Sequence, residues 1–178
     1  MSQSILIMDI DHTVSDAFWR DGMMAEAYRV GNWDEYNRSA ANDAPLMDVI
    51  KLVRDLYAQG WRVVACTARD DKWRKLTVDW FLKQEVPFDE LLMRPEGDRR
   101  PSPELKVALI KERFGSEIDD IVMVLDDRAD VVEAFKAIGI TAFQIFAKMG
   151  KNNDGQRQLR AEHRGSPLNG EPQAQPAD

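Results

Sequence analysis

Asp9 and Asp11 stand two positions apart where the apolar run Ile5-Leu6-Ile7-Met8 ends. Such a run reads as a strand buried on both faces, and carboxylates at its C-terminal end are costly unless paired, hydrogen-bonded or bound to a cation. Thr67 follows a second apolar run, Val63-Val64-Ala65-Cys66, and Asp126-Asp127 follow another, Ile121 to Leu125. Lys106 falls in the first turn of a helix expected to begin near Pro103. The set holds carboxylates, a hydroxyl and an ammonium, with no Gly-rich phosphate loop and no His/Cys metal spacing. These parts suit phosphoryl transfer through an aspartyl-phosphate. One carboxylate attacks phosphorus while a hard divalent cation such as Mg²⁺ takes oxygen ligands from two or three carboxylates and a backbone carbonyl. Lys106 would hold the phosphate and ease the carboxylate repulsion, and Thr67 can donate to a phosphate oxygen. Residues two apart on a strand point to the same side, so Asp11 can protonate the leaving oxygen and later activate water.

Bringing these groups together requires strand ends on one edge of a sheet. Strands are expected at residues 4–10, Val63–Cys66, Leu91–Met93, Ile121–Leu125 and 140–146. Between them, residues 46–58 place Leu46, Val49, Ile50, Val53, Leu56 and Tyr57 on one helical face, with Pro45 suited to its first turn and Gly60 to its end. Residues 71–84 turn Trp73, Leu76, Thr77, Trp80 and Phe81 inward, residues 103–114 form a third helix, and Val131, Val132, Phe135 and Ile138 mark a fourth. Strands alternating with helices predict a three-layer α/β/α, Rossmann-like fold with a parallel sheet. Residues 14–44 exceed what a loop needs and carry Trp19, Tyr28, Trp33 and Tyr36, so a small helical cap insertion over the strand ends is expected. The core is therefore placed at residues 1–150, and residues 151–178, with three glycines, three prolines and no aromatic or β-branched residue, read as a flexible tail with a fragment of helix near 156–163.

The net charge of −7 argues against long-range attraction to nucleic acid or anionic membranes, though a local basic groove is compatible with it. A single cysteine, Cys66, forbids an internal disulfide, and no signal-like N-terminus or membrane-length apolar stretch occurs, so a cytoplasmic location is expected (host cytoplasm, if phage-encoded). No obligate protein partner is evident.

Asp9-Ile10-Asp11-His12-Thr13, Thr67, Lys106 and Asp126-Asp127, in this order, resemble the four motifs of the haloacid dehalogenase (HAD) superfamily of phosphatases. The resemblance implies Asp9 as nucleophile, Asp11 as general acid/base, and Thr67 and Lys106 on the phosphoryl group. It also implies Mg²⁺ held by Asp9, the Asp11 backbone carbonyl and Asp126, with Asp127 assisting. Thr67-Ala68-Arg69, Trp73 to Trp80, Gly97-Asp98-Arg99-Arg100, and Asp126-Asp127-Arg128 with Val131-Val132 and Gly139 narrow it. Over residues 4–146 the chain resembles the phosphatase domain of phage-type polynucleotide kinase/3′-phosphatase and its free-standing phage relatives. Two departures stand out: no P-loop kinase motif occurs, and His12 replaces the glycine usual between the second aspartate and the threonine.

Several readings stay open on the sequence. Arg69 and Arg128 either contact phosphate or pair with nearby carboxylates, and Arg94, Arg99 and Arg100 are either a solvated loop or a substrate contact. Cys66 reads as a small buried residue beside the site. Trp19, Trp33 and Tyr36 form either the insertion's own core or a stacking surface for a nucleobase. The expected substrate is a phosphorylated nucleotide or a nucleic-acid 3′ end. The competing readings are a nucleotidase confined to mononucleotides, a receiver-type phospho-accepting module, and an idle binding protein on the same fold. Motif order disfavours the receiver, whose adjacent acidic pair would follow the first strand.

Overall fold

The computed structural model describes residues 3–146. Five strands, β1 (Ile5–Met8), β4 (Arg62–Asp70), β5 (Glu90–Arg94), β6 (Ile121–Asp126) and β7 (Ala142–Gln144), form a parallel sheet in the order β5-β4-β1-β6-β7. The four side chains of β1 are all buried because β1 is the central strand and is covered on both faces. Alternate residues serve opposite layers. Leu6 and Met8 pack with Val49, Ile50 and Val53 of α3 (Met47–Ala58) and with Trp80 and Phe81 of α4 (Arg74–Lys83). Ile5 and Ile7 pack with Ile110 and Phe114 of α5 (Ser102–Phe114) and with Val131, Val132 and Phe135 of α6 (Ala129–Lys136). The result is the three-layer HAD Rossmann-like α/β fold.

The chain moves outward from β1 through β4 to β5, then crosses to β6 on the other side. This reversal opens a crevice beyond the carboxyl ends of β1, β4 and β6, where ligands bind in sheets of this kind. Residues between β1 and α3 stand at that edge. Two short strands, β2 (Ser15–Asp16) and β3 (Ala44–Pro45), pair antiparallel and pin both ends of this excursion. Between them run a 3₁₀ turn (Phe18–Met23), α1 (Met24–Val30), α2 (Asp34–Ser39) and a second 3₁₀ turn (Ala40–Asn42). Gly31 closes α1 in the left-handed region (φ 65), which costs glycine nothing.

Several expectations need correction. Pro45 pairs with Ser15 across β2 and β3 and does not open α3. Tyr57 is 42% exposed, its hydroxyl reaching Asp89 instead of the core. Residues 71–73 form a 3₁₀ turn, so Trp73 and Leu76 are half-buried while Thr77, Trp80 and Phe81 are enclosed. β4 runs on to Asp70, which puts Thr67 and Arg69 inside the strand, and the last strand shortens to Ala142–Gln144. Lys106 lies in the second turn of α5, because the helix begins at Ser102. The tail expected over 151–178 lies outside the described residues. No helix among the described residues is long and apolar enough to cross a membrane.

Candidate active site

The ends of β1, β6 and α5 meet at three charged groups. Asp9 follows β1, anchored by its N–H to the Leu125 carbonyl of β6 at 2.9 Å. Lys106, 3% exposed, extends its ammonium to Asp9 Oδ1 at 2.5 Å and Asp126 Oδ2 at 2.6 Å. The other Asp9 oxygen accepts the Thr13 hydroxyl at 3.3 Å. Asp9, Asp126 and Asp127 offer carboxylate oxygens within 4.8 Å of one another. Three carboxylates against one ammonium leave two negative charges in a buried space. Burial, with the Asp126, Asp127 and Asp11 charges adding and Lys106 opposing, lifts the Asp9 carboxyl to about 7. Burial alone would lower the Lys106 ammonium, but Asp126 and Asp9 hold it well above the ordinary lysine range. An all-oxygen cluster short of two positive charges fits a hard divalent cation.

Asp11 sits in a different environment two residues on. Arg69 forks onto it, Nε to Oδ2 at 3.0 Å and Nη2 to Oδ1 at 2.6 Å, and Arg20 Nη2 bonds the same Oδ1. Arg20 also bonds Asp43 through Nε at 2.9 Å and Nη2 at 2.7 Å, and stacks on the Tyr36 ring at 4.1 Å. Asp43 gathers further donors: Ser15 Oγ at 3.1 Å and Trp19 Nε1 at 2.9 Å on its carboxylate, and Trp80 Nε1 at 2.8 Å on its carbonyl. Two arginines and two aspartates balance. Burial by itself would raise the Asp11 carboxyl, but the Arg69 and Arg20 guanidiniums hold it well below the usual carboxylate range.

Of the residues singled out in the sequence, Asp9, Asp11, Arg69, Lys106 and Asp126 are joined in these two clusters, Asp127 borders the first, and buried Thr67 lies on β4 two residues before Arg69, whose N–H it accepts at 3.2 Å. Arg128 forks onto Asp130, at 2.9 Å from Nε and 2.5 Å from Nη2. Arg94 bonds the Ala68 carbonyl at 3.0 Å and the Arg100 carbonyl at 2.8 Å, while Arg100 forks onto Asp98. Arg99 and Arg100 thus belong to an ordered loop after β5, away from the bonded clusters. Cys66 is buried beside the site, and burial pushes its thiol up to about 12. His12 adopts a left-handed backbone (φ 62), with Nε2 3.0 Å from Asp21 Oδ1 and its ring 4.3 Å from that of Phe18. Trp19 is 43% exposed and so is not core, whereas Tyr36 is buried.

Sequence reasoning missed Arg20 and Asp43. Neither has a motif or periodicity to mark it. The available signal was charge: two buried carboxylates on β1 required more cations than Lys106 supplied, and Arg20 is the arginine nearest to them in sequence.

The family model of the polynucleotide kinase PNKP phosphatase domain matches residues 3–148. The chain belongs to this family. It is therefore a HAD-type phosphatase, a hydrolase of phosphoric monoesters. Among solved structures, one titled as a Pnkp1/Rnl/Hen1 complex contains a chain 26% identical to this one, with a TM-score of 0.64, covering 84% of this chain and 48% of that one. The PNKP-type phosphatase chain described here thus spans about half the length of that relative. A putative phosphatase from Clostridium difficile is 15% identical with a TM-score of 0.61, covering 84% of this chain and 88% of its own. A HAD family enzyme from Bacteroides thetaiotaomicron, in complex with magnesium and inorganic phosphate, is 12% identical with a TM-score of 0.52, covering 85% and 98%. These last two likenesses bear on the fold alone. No curated protein matches the chain.

Proposed function

We propose that the chain is a Mg²⁺-dependent phosphomonoesterase that works through an aspartyl-phosphate on Asp9 and releases phosphate from nucleic-acid 3′ ends. The observation that carries the mechanism is the opposite surroundings of two carboxylates on one strand end: Asp9 lies in a cluster short of positive charge, and Asp11 in a balanced one. The substrate class is supported by the PNKP phosphatase-domain match over residues 3–148.

Asp9, Asp126, Asp127 and the Asp11 backbone carbonyl would hold the cation. When bound, Mg²⁺ supplies charge neutralisation for the phosphoryl oxygens. Lys106, Thr67 and Arg69 bind those oxygens, an ammonium, a hydroxyl and a guanidinium converging on one dianion. An Asp9 oxygen attacks phosphorus as the bond to the 3′ oxygen breaks, and Asp11 gives that oxygen its proton. Asp11, now a carboxylate, takes a proton from the water that attacks phosphorus, freeing Asp9 and inorganic phosphate. In the free enzyme Asp11 is held ionised by its arginines. A phosphate dianion drawn to Arg69 weakens that hold, so substrate itself favours the protonated acid.

The test compares hydrolysis of a 3′-phosphorylated oligonucleotide with that of nucleoside monophosphates, with Mg²⁺ and with chelator. The oligonucleotide should be preferred, chelator should abolish turnover, and Asp9→Asn should lower kcat by about a thousand-fold or more. An active Asp9→Asn enzyme refutes the mechanism. Turnover of mononucleotides alone refutes the nucleic-acid reading and makes the chain a nucleotidase.

A further inference from the structure

Resting on that nucleic-acid reading, we propose that Tyr28 and Arg128 form the subsite for the departing nucleotide, with the base stacked on Tyr28 and a phosphodiester against Arg128. Tyr28, on α1, is 68% exposed. An exposed tyrosine is ordinary in itself. This one is the outer end of an edge-to-face ladder: its ring lies 4.6 Å from that of Trp33 at 84°, and Trp33 lies 5.5 Å from Tyr36 at 90°. Tyr36 is buried and carries the guanidinium of Arg20, which bonds Asp11. A contiguous series of packed side chains therefore joins a surface ring to the carboxylate placed to protonate the leaving oxygen. Aromatic pairs of this geometry fix one another's orientation, so the outer face is preset for a planar ligand.

Tyr28 also lies within electrostatic reach of Arg128, the residue directly after Asp127, so α1 reaches the rim of the carboxylate cluster. The Arg128 side chain is 44% exposed, and its fork onto Asp130 fixes the guanidinium plane. An aromatic face beside an oriented cation suits a nucleotide chain, since the base has a π-face and its linkage carries a charge. A sugar phosphate offers the ring nothing to stack. A lone mononucleotide offers Arg128 no second phosphate.

Two 3′-phosphorylated oligonucleotides test this, one ending in an ordinary nucleotide and the other in an abasic residue, compared by kcat/KM in Mg²⁺. The wild type should prefer the base-bearing end by about five- to a hundred-fold, the range that stacking one base supplies. Tyr28→Ala should bring that ratio close to one, chiefly through KM, and Tyr28→Phe should keep it. Arg128→Gln should reduce the salt dependence of oligonucleotide binding by about one unit of log–log slope. A wild type indifferent to the terminal base overturns the subsite, as does a Tyr28→Ala enzyme that keeps the wild-type ratio. Hydrolysis of a simple alkyl phosphate with neither oligonucleotide touched places the failure in the nucleic-acid reading instead, and the subsite falls with it.

Discussion

Arg20→Gln should be among the most damaging single substitutions that leave the nucleophile in place, and its partner Asp43→Asn should partly repair it. The Arg20 and Asp43 side chains are both 0% exposed, Arg69 is 1% exposed and Asp11 19%. Arg20 is the one side chain that bonds both aspartates through short contacts, since Arg69 reaches Asp43 only at 3.5 Å. Glutamine in its place leaves two buried carboxylates facing one guanidinium. Removing one member of a buried ionic network costs about 3–5 kcal/mol, a third or more of the stability of a typical domain. Asp43→Asn alone leaves the opposite excess, two arginines on Asp11, and should cost about 2–3 kcal/mol.

The double variant restores neutrality around the bidentate Arg69–Asp11 pair. Its cost should fall short of the sum of the singles by about 1.5–3 kcal/mol, the coupling expected of residues in one network. Urea unfolding at pH 7.5 measures all four corners of the cycle, with unchanged m-values as the check that the denatured state is the same. Additive costs within about 0.5 kcal/mol would show that the cluster does not act as a charge-balanced unit. A cost below about 1 kcal/mol for Arg20→Gln would show that its burial needs no ionic partner, and the account of Asp11 would fall with it.

Lys106→Met removes the ammonium between Asp9 and Asp126, so melting in chelator should drop while the stabilisation by added Mg²⁺ grows beyond that of the wild type; an unchanged Mg²⁺ increment would mean that lysine and cation do not share a charge deficit. Metal-free protein should respond to pH through Asp9, whose carboxyl is raised to about 7 in the folded state against an ordinary value of 3.8. A raised folded value means that this group's contribution is full below about 4, is lost progressively as pH rises to about 7, and is flat above that. Asp9→Asn should flatten that slope in thermal melts taken in chelator, and a slope that survives the substitution assigns it elsewhere. His12→Gly should leave stability within about 1 kcal/mol, because relief of a left-handed backbone costing about 1 kcal/mol offsets the lost contacts to Asp21 and Phe18. His12→Val, which keeps the strain and loses the contacts, should cost clearly more by the same urea assay.

The sheet was legible because its strands are short apolar runs buried on both faces, a pattern that Ile5–Met8 and Ile121–Leu125 display without interruption. Strand ends were less so. Thr67 and Arg69 read as a loop because polar residues follow Cys66, yet β4 continues to Asp70 through a register shift against β5. Side chains facing a polar site leave no apolar trace of the strand that carries them. The same reason hides Arg20. Its guanidinium is fully buried, but its neighbours Trp19 and Asp21 are partly exposed, and no periodicity distinguishes it from a surface arginine. The partnership with Asp43 exists only once β2 pairs with β3 and draws the two ends of the insertion together. Arg100, conversely, read as part of a basic cluster open to substrate, and a local fork to Asp98 two residues away accounts for it.

The two carboxylates at the end of β1 share a strand and a direction, so their chemistry must differ through what surrounds them. At Asp9 the donors come from the core itself, Lys106 from α5 and the Thr13 hydroxyl, and they fall short of the charge of Asp9, Asp126 and Asp127 by two. At Asp11 one guanidinium comes from the core strand β4 and the other from the segment between β2 and β3, and with Asp43 the sum is zero. A divalent cation is accordingly attracted to the first cluster and has no electrostatic reason to enter the second. The segment that carries Arg20 also carries Tyr36, Trp33 and Tyr28, so whatever orders that segment acts on the balanced cluster through Arg20 and leaves the cation site to the rigid sheet. Removing the metal should therefore disable Asp9 without loosening Asp11. Perturbing the insertion should do the reverse, and comparing metal affinity with melting temperature in Arg20→Gln and Lys106→Met separates the two.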